Sequence, residues 1–237
     1  MKRYEWILFD ADDTLFHFDA FGGLQLMFSR YGRDITEQDY HAYQTVNKPL
    51  WIDYQNGRIG AQQLQRQRFQ PWAEALQVPA QDLNSAYLTT MAEICTPIDG
   101  AVGLLAALNG EARLGIITNG FTELQQARLE RTGLAHHFEV LVISEQVGMT
   151  KPHREIFDHA LSLMGDPARD RVLMVGDNPD SDIRGGINAG LDTCWVNVDG
   201  RAAPEAMMPT YQVSTLAELE RLLLPAKNPQ RSGAGHY

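Results

Sequence analysis

The sequence predicts an α/β protein, a doubly wound, Rossmann-like parallel sheet with a helical cap inserted near its start. Three observations predict it. Four short apolar runs each end on polar residues, as strands buried on both faces do. Segments with helical spacing lie between the later runs. Between the first and second runs, a long block shows helix-like spacing and no comparable strand.

The runs are residues 6–9 before Asp10, 114–117 before Thr118, 140–143 before Ser144, and 172–175 before Gly176 and Asp177. Two intervening helices are marked by Leu124, Ala127, Arg128 and Leu129 closed by Gly133, and by Ile156, Phe157, Ala160, Leu161 and Met164 closed by Gly165. A last strand over 193–198 and a helix over 216–224 complete a core of residues 1–16 and 98–224. Residues 17–97 read as the cap, with Leu64, Phe69, Trp72, Ala73 and Leu76 at helical intervals. Both junctions of such an insertion fall at strand ends, where lids form. The tail 225–237 is polar, rich in Gly and Pro and without periodicity, and is expected to be disordered.

The chain has 237 residues, 44% hydrophobic and 21% charged, enough for one full core and a smaller module. A net charge of −10 argues against a nucleic-acid polymer as partner, since such binders concentrate Lys and Arg. A small anionic substrate remains compatible with that charge when a bound cation supplies the local field. Cys95 and Cys194 are far apart and lack metal-ligand spacing, so both are expected to be buried small hydrophobes. No window has the length and apolarity of a signal or membrane span, so a cytoplasmic protein without a membrane partner is expected.

In an open parallel sheet, ligands bind beyond the carboxyl ends of the strands. The polar residues that close the runs should therefore converge there: Asp10, Asp12, Thr118, Asn119, Asp177 and Asp182. Asp10 and Asp12, two apart in extended chain, can both face the crevice while Ala11 packs away. So many carboxylates repel one another unless a hard divalent cation such as Mg²⁺ joins them. Lys151 precedes Pro152, which suits the first turn of the helix running through Met164 and places the ammonium near a helix N-terminus. The Thr118 hydroxyl and the amides of Asn119 and Gly120 sit at a strand-to-helix turn, where phosphoryl oxygens can be held.

Asp10-Ala11-Asp12-Asp13-Thr14, Thr118-Asn119-Gly120, Lys151-Pro152 and Gly176-Asp177 through Asp182 resemble, in order, the four motifs of the haloacid dehalogenase superfamily. The resemblance implies that Asp10 attacks phosphorus, that Asp12 protonates the leaving oxygen and then activates water, and that Thr118 and Lys151 bind the phosphoryl group. It also implies that Asp10, the carbonyl of Asp12, and Asp177 hold Mg²⁺, with Mn²⁺ as a substitute and Asp182 acting close by through water. Asn47-Lys48-Pro49-Leu50-Trp51 and the segment 116–121 are similar to the bacterial pyrimidine 5′-nucleotidases of that superfamily. The activity so implied is hydrolysis of nucleoside 5′-monophosphates such as dUMP, UMP or dTMP, with Asn47, Lys48 and Trp51 facing the substrate.

The bland readings are set beside this one. Asp-x-Asp alone is usually a solvated turn, and only the order of the motifs at successive strand ends is specific. Asp182 could cap the following helix. Gly185, Gly186 and Gly190 lack GxGxxG spacing and are read as turn residues, and His136 and His137 as a surface loop. Asp12 argues against a dehalogenase. A phosphatase or phosphomutase of sugar phosphates, and a silent binding protein of the same fold, remain the competing readings.

Overall fold

The computed structural model describes residues 3–202 and 207–224, so the tail 225–237 lies outside the described residues. Strand β1 (Trp6–Phe9) is followed by five helices, α1 (Ala20–Ser29), α2 (Glu37–Gln55), α3 (Ala61–Gln67), α4 (Gln70–Leu76) and α5 (Ala80–Ile94). Then come α6 (Ala101–Leu108), β2 (Arg113–Thr118), α7 (Thr122–Thr132), β3 (Val140–Ile143), the one-turn α8 (Ser144–Val147) and α9 (Arg154–Leu163). Strand β4 (Val172–Gly176), α10 (Arg184–Asn188), β5 (Asp192–Val196), β6 (Tyr211–Val213) and α11 (Leu216–Leu223) close the chain.

The six strands form one parallel sheet in the order β3-β2-β1-β4-β5-β6. Strand β1 is central and wholly buried, and its alternate side chains feed two cores. Ile7 and Phe9 join Leu104, Leu105, Leu108, Leu216 and Leu219 on the face covered by α6 and α11. Trp6 and Leu8 join Ile156, Phe157, Ala160 and Leu161 on the face covered by α9. From β1 the chain moves outward to β2 and β3, then crosses back to β4. The strand order therefore reverses at β1, and the crevice opens beyond its carboxyl end.

Helices α1 to α5 bury their own cluster, including Leu24, Phe28, Tyr43, Phe69, Trp72 and Tyr87, which also takes in Phe121 and Leu124 from the sheet side. Helix α2 begins with a capping box, in which Thr36 and Asp39 exchange side-chain and backbone hydrogen bonds. The two passages between the helices and the sheet run side by side. His17 N donates to Thr96 O (3.0 Å), Ile98 N donates to Leu15 O (2.9 Å), and Phe16 bridges Pro97.

Several local expectations change. The strand expected over 193–198 ends at Val196, because both ends of the Asn197 amide bind the Arg201 backbone and turn the chain away. Three-residue β6 carries too short a pattern to be read from sequence. Lys151 does not enter the helix at its first turn: Lys151-Pro152 is a cis peptide, and α9 starts at Arg154 behind His153. Gly185 and Gly186 are helix-packing positions in α10, where a Cβ would meet Phe157 at 2.5 Å and Thr193 at 2.6 Å. Gly190, at φ +75°, is the turn. Cys194 is buried, whereas Cys95 is only half-buried. His136 and His137 lie on a short 3₁₀ turn. Among the described residues no helix is long and apolar enough to cross a membrane.

Candidate active site

The carboxyl end of β1 delivers Asp10, whose amide still donates to Val175 O on β4 (2.8 Å). The chain then folds back at once, with Leu15 N and Phe16 N both donating to Ala11 O (3.0 Å each). That tight loop needs Asp13 in the left-handed region (φ 56°), a conformation that a short polar side chain tolerates. Ala11 is fully buried, and Asp10 and Asp12 both line a cavity of about 260 Å³. Thr118, Asn119, Gly120, Lys151 and Asp177 line it too, with Asn47 and Trp51 on the helical side.

Lys151 is 1% exposed and bridges two carboxylates, its Nζ lying 2.6 Å from Asp10 Oδ1 and 2.7 Å from Asp182 Oδ1. Desolvation disfavours the ammonium, but these two carboxylates outweigh it and hold the Lys151 pKa above the usual lysine range. Burial pushes Asp10 up, against the pull of Lys151. Burial and the neighbouring Asp182 push Asp177 up to about 7.

Asp182 is fully buried and is not a helix cap. Asn178 fills that place, accepting from the Asp180 and Ser181 amides. Asp182 instead takes Lys151 and Ser181 Oγ on Oδ1 and the Asn178 amide on Oδ2. Gly176 permits this approach, since a Cβ there would lie 2.2 Å from Asp182 Oδ2. Asp177 is fixed through Thr14, whose Oγ1 accepts from its amide (3.0 Å), and through its own carbonyl, which accepts from Trp195 Nε1 (2.8 Å).

Oxygens of Asp10, Asp177 and Asp182 lie within 4.8 Å of one another. An all-carboxylate donor set with two members driven toward protonation by burial fits a hard divalent cation, which stabilises the ionised forms.

The Asn119 side chain is taken up by the Lys151 backbone. Its Oδ1 accepts from Lys151 N (2.8 Å) and its Nδ2 donates to Lys151 O (2.9 Å), so the amide clamps the lysine backbone to the end of β2. The Gly120 amide is turned onto Thr118 Oγ1 (3.0 Å). Of the three helical residues expected to face the substrate, Asn47 and Trp51 line the cavity. Lys48 is exposed and does not line it.

Two buried arginines near the site carry no functional signal in the sequence, one paired with Asp12 and one lining the cavity. Arg128, 1% exposed, donates from Nη1 to Asp12 Oδ1 (2.5 Å), and Arg68, 3% exposed, stands in the cavity's helical wall. In the sequence Arg128 shows only as part of a helical face. Its spacing after Asp12 carries no local signal, because the contact joins α7 to the β1 loop.

Residues 4–190 match the family described as haloacid dehalogenase-like hydrolase. The pyrimidine 5′-nucleotidase YjjG of Escherichia coli (strain K12) is 59% identical over 221 residues, covering 93% of this chain and 98% of that protein. The pyrimidine 5′-nucleotidase PynA of Streptococcus pneumoniae is 32% identical, over 91% of this chain and 93% of that one. A crystal structure of YfnB from Bacillus subtilis, described as a HAD-hydrolase bound to magnesium and showing interdomain movement, superposes with a TM-score of 0.80. It is 31% identical and covers 94% of this chain and 99% of that chain.

Proposed function

The chain belongs to the haloacid dehalogenase-like hydrolases, and from that premise we propose that it is a magnesium-dependent 5′-nucleotidase preferring pyrimidine nucleoside monophosphates such as dUMP, UMP and dTMP. The observation that carries the chemistry is Asp10, a carboxylate at the strand-order reversal whose Oδ1 is held by Lys151 beside two further acids. The substrate class follows the two nucleotidase relatives.

Asp10 attacks phosphorus through one carboxylate oxygen as the bond to the ester oxygen breaks, and Asp12 delivers a proton to that leaving oxygen. Water then attacks phosphorus, Asp12 takes its proton, and release of phosphate restores Asp10. Lys151 and the Thr118 hydroxyl hold phosphoryl oxygens. Asp10, Asp177 and the Asp12 carbonyl would hold Mg²⁺, or Mn²⁺ in its place, and the ion would supply charge neutralisation for the phosphoryl group. Asp182, held by three donors, orients Lys151. The clamp on Lys151 by Asn119 serves the same end.

Residues 17–97 act as a cap over the phosphate, with Asn47 and Trp51 toward the base, and the protein works in the cytoplasm. The test is phosphate release from a panel of nucleotides and sugar phosphates with Mg²⁺. Highest kcat/KM for pyrimidine nucleotides supports the reading, and highest kcat/KM for a sugar phosphate removes it. Isomerised sugar phosphate without free phosphate would make the protein a mutase instead.

A further inference from the structure

Arg68 follows α3 at the helical wall of the cavity that contains Asp10. Among the described residues it has no carboxylate partner. Its Nε and Nη2 both donate to Asn84 Oδ1 (2.9 and 2.5 Å), and the buried Tyr43 hydroxyl lies beside it. Three ring faces surround the guanidinium, Phe69, Tyr87 and Phe121, with centroids 5.1–5.2 Å from its central carbon. A cation 3% exposed with only neutral partners is an unusual arrangement, because an unpaired buried charge is costly. Stacking and the Asn84 amide hold the fork in place but use only part of its five N–H donors.

A second orphan lines the same cavity. Asn47 is 9% exposed, and among the described residues its Oδ1 is a buried acceptor with no hydrogen-bond partner. Its Nδ2 is directed to Gln44 Oε1 at 3.5 Å. A fixed donor and an unsatisfied acceptor lining the same cavity fit a ligand that offers both an acceptor oxygen and an N–H.

We infer that Arg68 is a specificity-determining residue, donating to a ring carbonyl oxygen of the base while Asn47 Oδ1 accepts the adjacent ring N–H. Together they read the imide edge of uracil or thymine. The inference rests on the nucleotidase reading above. Asn84 fixes the fork before substrate arrives, since Asn84 Nδ2 is itself held on Gln65 Oε1 (3.2 Å) and Gln65 Nε2 on Glu145 Oε1 (2.5 Å). A substrate without the base leaves both orphans unsatisfied, which is how a hydrogen-bonding site rejects an analogue.

The test compares kcat/KM for dUMP, N3-methyl-dUMP and ribose 5-phosphate in the wild type, Arg68→Met and Arg68→Lys. The dUMP to ribose 5-phosphate ratio is expected to fall about 10- to 100-fold in Arg68→Met and to recover in part in Arg68→Lys. N3-methyl-dUMP, which needs no variant to fold, is expected to fall at least about tenfold below dUMP in the wild type. Equal losses on dUMP and ribose 5-phosphate in Arg68→Met, or equal turnover of dUMP and its N3-methyl form, overturn the inference. A wild type that prefers ribose 5-phosphate over dUMP overturns the nucleotidase reading itself, a different outcome.

Discussion

Arg128 reaches Asp12 from below the cavity: the guanidinium is 1% exposed, the Asp12 side chain is 29% exposed, and Nη1 lies 2.5 Å from Oδ1. The arginine is fixed by the Phe16 ring, 4.7 Å from its central carbon, and by Gln125 Oε1, while among the described residues its Nε has no hydrogen-bond partner. Arg128 holds Oδ1 only, so in the proposed mechanism Oδ2 is the Asp12 oxygen turned to the leaving group and Arg128 sets its orientation. In Arg128→Met, kcat for nucleotides is expected to fall about 10- to 100-fold. The loss should be smaller for p-nitrophenyl phosphate, whose leaving group needs no proton. Identical losses on both substrates would mean that Arg128 acts through the fold alone.

Asp10→Asn keeps the shape of the side chain but has no anionic oxygen to attack with. Turnover should fall at least about 10⁴-fold while the circular dichroism spectrum is retained. Rapid quench with labelled substrate should label the wild-type protein and leave the variant unlabelled. Near-normal turnover in Asp10→Asn at saturating Mg²⁺ would falsify the covalent route.

Chelation should stop turnover and Mg²⁺ restore it, with Ca²⁺ a poor substitute because its larger, looser shell misplaces the phosphate. A linked effect appears in stability. Asp177 is raised to about 7 in the folded metal-free protein, so between the unfolded carboxylate value and pH 7 the folded state binds the extra proton. Stability of the metal-free form should then fall as pH rises toward 7 and level off above it. Mg²⁺, which binds the ionised form, should raise Tm more at pH 8 than at pH 5.5. A Tm gain from Mg²⁺ that is larger at pH 5.5 would contradict this sign.

Gly176→Ala tests the packing under Asp182. The new methyl would lie 2.2 Å from Asp182 Oδ2, against a fully buried side chain that is held by three donors. The expected cost is about 1–3 kcal/mol of stability by denaturant unfolding, and kcat should fall because Lys151 loses its alignment. Unchanged kcat and midpoint would show that Asp182 can move freely.

Trp51 both lines the cavity and packs against the helical cluster. Its ring lies 5.2 Å from Phe121 and 5.8 Å from Tyr54, centroid to centroid, so part of its surface is already covered by the residue that precedes α7. Trp51→Ala is expected to raise KM for dUMP about tenfold, on the scale of one lost base stack, with a smaller effect on ribose 5-phosphate. A KM for dUMP within twofold of wild type would leave Trp51 with packing alone.

Much of this molecule was legible in its sequence because the signals were local. Apolar runs closed by Asp10, Thr118 and Asp177 identify buried parallel strands and, through the geometry of such sheets, the residues that meet at their ends. Lys151 was legible as a site residue, but its setting was not. The cis peptide and the Asn119 clamp that hold it lie in the turn before α9, and no periodic pattern encodes them.

Spacing along single stretches of chain is enough to locate the carboxyl ends of β1 to β4, the inserted helices and the acids that gather at the crevice. Only the tertiary structure decided that Arg128 meets Asp12 across 116 residues, that Lys151 joins Asp10 across 141, that Asn47 reaches the cavity while Lys48 does not, and that Arg68 is left without a carboxylate. These depend on which helix faces pack together, and on which polar groups that packing strips of water. Burial, unlike periodicity, is a property of the whole fold.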